Sequence, residues 1–309
     1  MNRFFIFFVI SMSSLMLLES CGRRSGDSQL VYEVSSDYQF PYAITEAIDE
    51  YELKGELQEI SGLTYYNSHS LLCVNDEKGT VYKYSLKKKE ITKRYKFDKG
   101  GDYEGLEMVG DEVYVLRSDG TLFIIDKLDK KISSEKKASW LAARNNTEGL
   151  GYDAKSNSLL IACKGAPGKG NTYKGQRAVY KYSLETNKLS ESPTYLINQE
   201  KIRKILRFNR FSNFSVKFLE NINPSEGDAT FQPSAVAVHP ITNNLYVLAS
   251  VGKLLIVLSP EGEILALVKL QRKDFRQPEG ICFSPDGTMF ISNEGRGQAA
   301  TIYKFNYEN

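Results

Sequence analysis

The chain has 309 residues, 41% hydrophobic and 25% charged, and a formal net charge of +2 at pH 7. So small a charge offers no field for a polyanion, which argues against a nucleic-acid partner. Two histidines and four cysteines, with no Cys-x-x-Cys pair, argue against zinc and dithiol redox chemistry.

Residues 1–20 read as a lipoprotein signal peptide. Arg3 supplies the positive start, and Phe4 to Leu18 form an apolar run of secretory length that is short for a membrane span. Leu18-Glu19-Ser20-Cys21 resembles a bacterial lipobox, with Glu19 an unusual residue in it, and predicts lipidation at Cys21. Several acyl chains on one cysteine hold far more firmly than the single chain that binds marginally. The expected location is the extracytoplasmic face of a membrane in the cell envelope. Gly22 stands where an aspartate would signal inner-membrane retention, which favours the outer membrane. Residues 21–45 are polar and unpatterned and read as a flexible tether. The folded domain is expected over 46–309.

That body is repetitive. Glu59-Ile60-Ser61-Gly62-Leu63, Asp102-Tyr103-Glu104-Gly105-Leu106, Asn146-Thr147-Glu148-Gly149-Leu150, Gln232-Pro233-Ser234-Ala235-Val236 and Gln277-Pro278-Glu279-Gly280-Ile281 are versions of one mark. They recur at steps of roughly 43–45 residues with one doubled step, the period of a propeller blade. Behind each mark come short runs rich in β-branched and aromatic residues, such as Ser70 to Val74, Glu112 to Leu116 and Ser158 to Ala162. Gly, Asn and Asp bound these runs, which therefore read as strands. The class is all-β: a five-bladed β-propeller. Its last repeat ends after three strands, and Ile48 to Leu57 stands in the right place to supply the fourth and close the ring.

The doubled step holds an insertion, about 199–231. Within it, Ile202, Ile205 and Leu206 fall at helical spacing with Lys and Arg opposite. Such a helix packs its apolar stripe on the body or meets an anionic surface. Cys73, Cys163 and Cys282 are expected as buried small hydrophobes, since three thiols cannot all pair within one chain. Gly165 to Gly170 lacks the Gly-Lys-Ser/Thr of a phosphate loop and reads as a hairpin loop.

In a propeller the first strand of each blade lines the channel, so equivalent positions form a ring. Here the ring is Ser61, Glu104, Glu148, Ser234 and Glu279. Three carboxylates at one level repel one another and call for a positive charge among them. Calcium, which takes six to eight oxygens in loose geometry, suits an all-oxygen set. The alternatives are protein cations, with Arg117 and Lys164 placed for it, or a protonated glutamate. The same mouth is expected to carry Asn75, Asp76, Asn293 and Glu294. His69 and His239 fall in turns at the opposite face, so no histidine base is expected at the ring.

Together with Val74-Asn75-Asp76 and Ile291-Ser292-Asn293-Glu294, these marks resemble the SdiA-regulated family of bacterial envelope proteins over the whole body. The resemblance implies a five-bladed, NHL-like propeller with a calcium site, and Glu104, Glu148, Glu279 and Ser61 as ligands. Pro233-Ser234-Ala235 departs from the family's Ser-Gly at Ser234. A more distant similarity is to esterase-like phytases. Two functions follow: a tethered, monomeric calcium-containing binding or scaffold module, or a metal-dependent phosphoesterase on the same ring.

Overall fold

Short apolar runs alternating with tight polar turns satisfy their backbone groups by pairing as antiparallel sheets. The computed structural model of the chain describes residues 30–128, 132–208 and 231–308. The expected signal peptide, Cys21, and most of the insertion (209–230) lie outside them.

Two strands, β1 (Val31–Glu33) and β2 (Asp49–Leu53), precede the first blade. Blade one is β3 (Ile60–Asn67), β4 (Ser70–Asn75), β5 (Thr80–Ser85) and β6 (Glu90–Lys96). Blade two is β7 (Tyr103–Val109), β8 (Glu112–Arg117), β9 (Leu122–Asp126) and β10 (Ser134–Lys137). Blade three is β11 (Thr147–Asp153), β12 (Ser158–Cys163) and β13 (Gln176–Ser183), its outer edge shared by β14 (Lys188–Leu189) and β15 (Tyr195–Asn198). Helix α1 (Gln199–Phe208) follows. Blade four is β16 (Gln232–Val238), β17 (Leu245–Val251), β18 (Leu254–Leu258) and β19 (Ile264–Lys269). Blade five is β20 (Pro278–Phe283), β21 (Met289–Asn293) and β22 (Ala300–Phe305).

The ring closes as the sequence predicts. Strand β2 pairs antiparallel with β22, setting Tyr51 opposite Ile302, and so completes blade five. Neighbouring inner strands β3, β7, β11, β16 and β20 touch in that order, and β20 returns to β3. Five hydrophobic clusters fill the gaps between successive blades. The described residues thus form an all-β, five-bladed propeller with one helix. Ile202 and Leu206 of α1 are buried between blades three and four, while Lys201 and Lys204 stay in solvent. Cys73, Cys163 and Cys282 are free and buried.

One expectation is overturned. The tether foreseen as far as residue 45 is, from Leu30 onward, part of the folded body. Strand β1 adds a fifth strand to blade four, with Tyr32 opposite Leu267. Phe40, Tyr42 and Ile44 are then buried between blades four and five. Tyr42 donates to the Gly287 carbonyl at 2.7 Å and meets His239 Nε2 at 2.8 Å. Scattered aromatics in an otherwise polar stretch gave no periodicity to read; their partners lie some 200 residues away in sequence, 197 for His239.

Candidate functional site

The recurring mark has a local structural meaning. In every inner strand the pairing register shifts across one residue: between Ile60 and Gly62, Tyr103 and Gly105, Thr147 and Gly149, Pro233 and Ala235, and Pro278 and Gly280. The residues passed over are Ser61, Glu104, Glu148, Ser234 and Glu279. Each is the extra residue of a β-bulge, a device that frees a side chain from the ladder and re-aims it. The small residue that follows makes room. A Cβ on Gly62 would lie 2.9 Å from the Gly105 Cα, and one on Gly149 would lie 2.9 Å from the Val236 nitrogen. Five inner strands converge only because these positions carry almost nothing.

Three of the five bulges put carboxylates into one electrostatic neighbourhood. Burial, then Glu148, Asp102 and Glu279, push the Glu104 carboxyl up to about 9. Burial, then Glu148, raise Glu279 to about 7. Glu148, only 4% exposed, is lifted by burial, against the pull of Lys164 and Asn146. The Lys164 ammonium lies 2.7 Å from Glu148 Oε1, and Asn146 donates to the same oxygen at 3.0 Å. Burial works against the charge of Lys164, yet Glu148, Glu279 and Glu104 together hold it above the usual lysine range. Lys164 is thus one of the two protein cations foreseen for the ring.

The other is not. Arg117 turns to its own hairpin, where Nη2 meets Asp119 Oδ2 at 2.7 Å and Nε donates to Oδ1 at 3.0 Å. A carboxylate two residues away along the chain captured it. The two ring hydroxyls are also engaged: Ser61 donates to the Tyr103 carbonyl at 2.6 Å and Ser234 to the Pro278 carbonyl at 2.7 Å. They join inner strands of adjacent blades rather than presenting their protons to the channel.

The remaining mouth residues divide. Asn75 is structural, donating to the Glu56 carbonyl at 2.9 Å and accepting from the Lys78 amide at 3.0 Å. Asn293 is buried and donates to Thr301 at 3.3 Å. Asp76 and Glu294 feel each other and Glu59; burial, then Glu59 and Glu294, raise Asp76 to about 6. Glu294 accepts a hydrogen bond from Gln277 and lies 3.9 Å from Arg296. Sequence reasoning missed Asp102, Lys253 and Gln277. Burial lowers Lys253 to about 8 while Glu279 pulls it upward, and its ammonium donates to the Ser250 carbonyl at 2.6 Å. Asp102 and Gln277 were legible as the neighbours two residues before Glu104 and Glu279; Lys253, in a turn, carried no repeat signal.

The donor chemistry of this mouth, oxygen and nothing softer, fits a hard cation. The arrangement fits it less well. Among the described residues no three His, Cys, Asp or Glu side chains stand close enough together to hold a metal ion, and Lys164 lies among the ring carboxylates.

Comparison with known proteins accords with the fold. Myxococcus xanthus glutaminyl cyclase is similar in structure, with a TM-score of 0.50 at 12% identity over 85% of this chain and 96% of that one. A luciferin-regenerating enzyme gives 0.49 at 13% identity over 84% and 95%. At 12% identity the likeness to the cyclase is one of fold alone. No curated protein matches the chain. The model of the SdiA-regulated family matches residues 36–305, nearly the whole propeller, and the chain therefore belongs to the SdiA-regulated family.

Proposed function

We propose that this protein is a binding or scaffold module, held outside the cytoplasm by a lipid on Cys21, whose channel mouth takes up calcium in exchange for the Lys164 ammonium. What carries the reading is the convergence of Glu104, Glu148 and Glu279 on Lys164. Three carboxylates act on the Lys164 ammonium, Lys253 acts further on Glu279, and burial raises all three carboxyls. A site in that condition gains from a further positive charge. A divalent ion would displace the ammonium and draw the carboxylates inward, with Asp102 beside Glu104 as a further oxygen donor.

The test is calorimetric titration of the full chain in detergent with calcium, beside Lys164→Met and Glu148→Gln. Removing the competing ammonium is expected to tighten calcium binding by about tenfold or more, equivalent to roughly 1.4 kcal/mol. Glu148→Gln is expected to weaken it by a similar factor. Absence of saturable calcium binding in both the unmodified chain and Lys164→Met overturns the reading. The rival, a metal-dependent phosphoesterase of the esterase-like phytase type, would use the same ring. Hydrolysis of phytate or nitrophenyl phosphate that disappears in Glu148→Gln would replace the binding reading with it.

A further inference from the structure

The channel has a second tier. Three residues beyond each bulge stand Thr64, Glu107, Gly151, Ala237 and Cys282. Four of them are small, so the fifth, Glu107, is the only charged side chain of the tier and has space around it. A cavity of about 240 Å³ opens there, at the face opposite the mouth, walled by Thr64, Glu107, Tyr152, Ala237, Cys282 and Phe283. All five inner strands contribute to it, and exposed Ala154 and Pro240 form its lip.

Glu107 Oε1 accepts from Thr64 Oγ1 at 2.5 Å and from the Met108 amide at 2.9 Å. Among the described residues no Lys, Arg or His pairs with it. The one imidazole in the cavity wall cannot supply the charge. His239 Nδ1 accepts the Ile241 and Thr242 amides at 3.3 and 3.2 Å, which puts its proton on Nε2, facing the Tyr42 hydroxyl. That hydroxyl in turn donates to Gly287. The ring is locked neutral, and burial lowers it to about 4. Glu107 is left as a fixed acceptor in a partly apolar chamber, and burial raises its carboxyl to about 7.

We propose that this chamber is a binding site for a small organic ammonium, its charged end on Glu107 and its alkyl part against Ala237, Val238 and Phe283. The volume sets the size. At ~30 Å³ per water the chamber holds about eight waters' worth of ligand, which suits an amine of a few carbons. The chemistry sets the class, because one carboxylate cannot satisfy a metal that demands six or more oxygens. The site is separate from the calcium ring and does not depend on it.

The experiment is a calorimetric titration of the full chain in detergent with propylammonium chloride, with 1-propanol as the uncharged control. EDTA is present throughout, so that the outcome is independent of calcium at the mouth. Saturable binding of the ammonium and not the alcohol is expected. Glu107→Gln, which removes the charge, and Ala237→Leu, which fills the space, are each expected to weaken it at least tenfold, with melting curves recorded for both to verify folding. Binding is expected to be tighter at pH 8 than at pH 6, as Glu107 ionises. Two titratable groups facing it do not confuse that comparison: Cys282 is held well above the ordinary thiol range by burial, and His239 is neutral at both values. Equal binding of the alcohol, no saturation at millimolar ammonium, or unchanged affinity in a folded Glu107→Gln or Ala237→Leu overturns the proposal.

Discussion

His239 ties three distant parts of the chain together, and its protonation state can be followed through stability. Its folded value of about 4 lies below the 6.5 of a free imidazole, because the buried ring is penalised when charged. The unfolded chain therefore binds the extra proton first as pH falls. The stability that His239 contributes is complete above pH 6.5 and is lost progressively as pH drops through 4. Glu104, Glu107 and Glu279 have raised values and push the other way, so the informative quantity is a difference. Unfolding free energies of the native chain from urea titrations are expected to fall relative to those of His239→Gln between pH 6.5 and 4, by roughly 1–3 kcal/mol in total, while at pH 7 the variant is the weaker of the two. Parallel curves would show that the ring is not held neutral. At the mouth, the glutamates and Lys164 were readable from the repeat, because equivalent positions in a propeller must face one axis. That Lys164 joins Glu148 while Arg117 goes to Asp119 was not readable. Both stand at the end of a second strand, and only the local hairpin decides which partner is nearer.

At the scale of elements, the bulge is the unit that does the positioning. It turns a two-residue alternation into an inward-facing side chain followed by a residue that must be small, and it does so five times. The sequence displays the outcome, the Ser/Glu-Gly/Ala mark, without displaying the cause. Strand β1 shows the reverse case. Val31-Tyr32-Glu33 is too short to give a period, yet the free edge of β19 accepts it, and Tyr32 receives a hydrogen bond from Lys269 at 2.8 Å. A truncated chain beginning at Glu46 keeps β2 but loses β1 and the buried Phe40, Tyr42 and Ile44. Each such side chain stabilises by about 1.5–3 kcal/mol when fully buried. The truncation is expected to lower the melting temperature well beyond 5 °C relative to a chain beginning at Leu30. Equal melting of the two would mean that the segment only decorates the surface.

At the scale of the whole molecule, the anchor and the body can be separated experimentally. Among the described residues no helix is long and apolar enough to cross a membrane. The proposed hold on the membrane is the lipid on Cys21, and Cys21→Ser is expected to move the protein from the membrane fraction to the soluble fraction of the envelope and to abolish incorporation of a labelled fatty acid. Retention in the membrane without label would assign the hold to the apolar run Phe4 to Leu18 instead. The sequence by itself determined the blade count, the closure of the last blade by the N-terminal strand and the identity of the inward-facing ring. All three follow from periodicity, which survives in one dimension because each blade solves the same packing problem. The tertiary structure alone decided which cation sits among the glutamates, that an N-terminal belt is part of the body, and that a lone carboxylate lies in a chamber at the far end of the channel. These depend on distances between residues far apart in the chain, and a repeat specifies equivalent places without specifying what meets there.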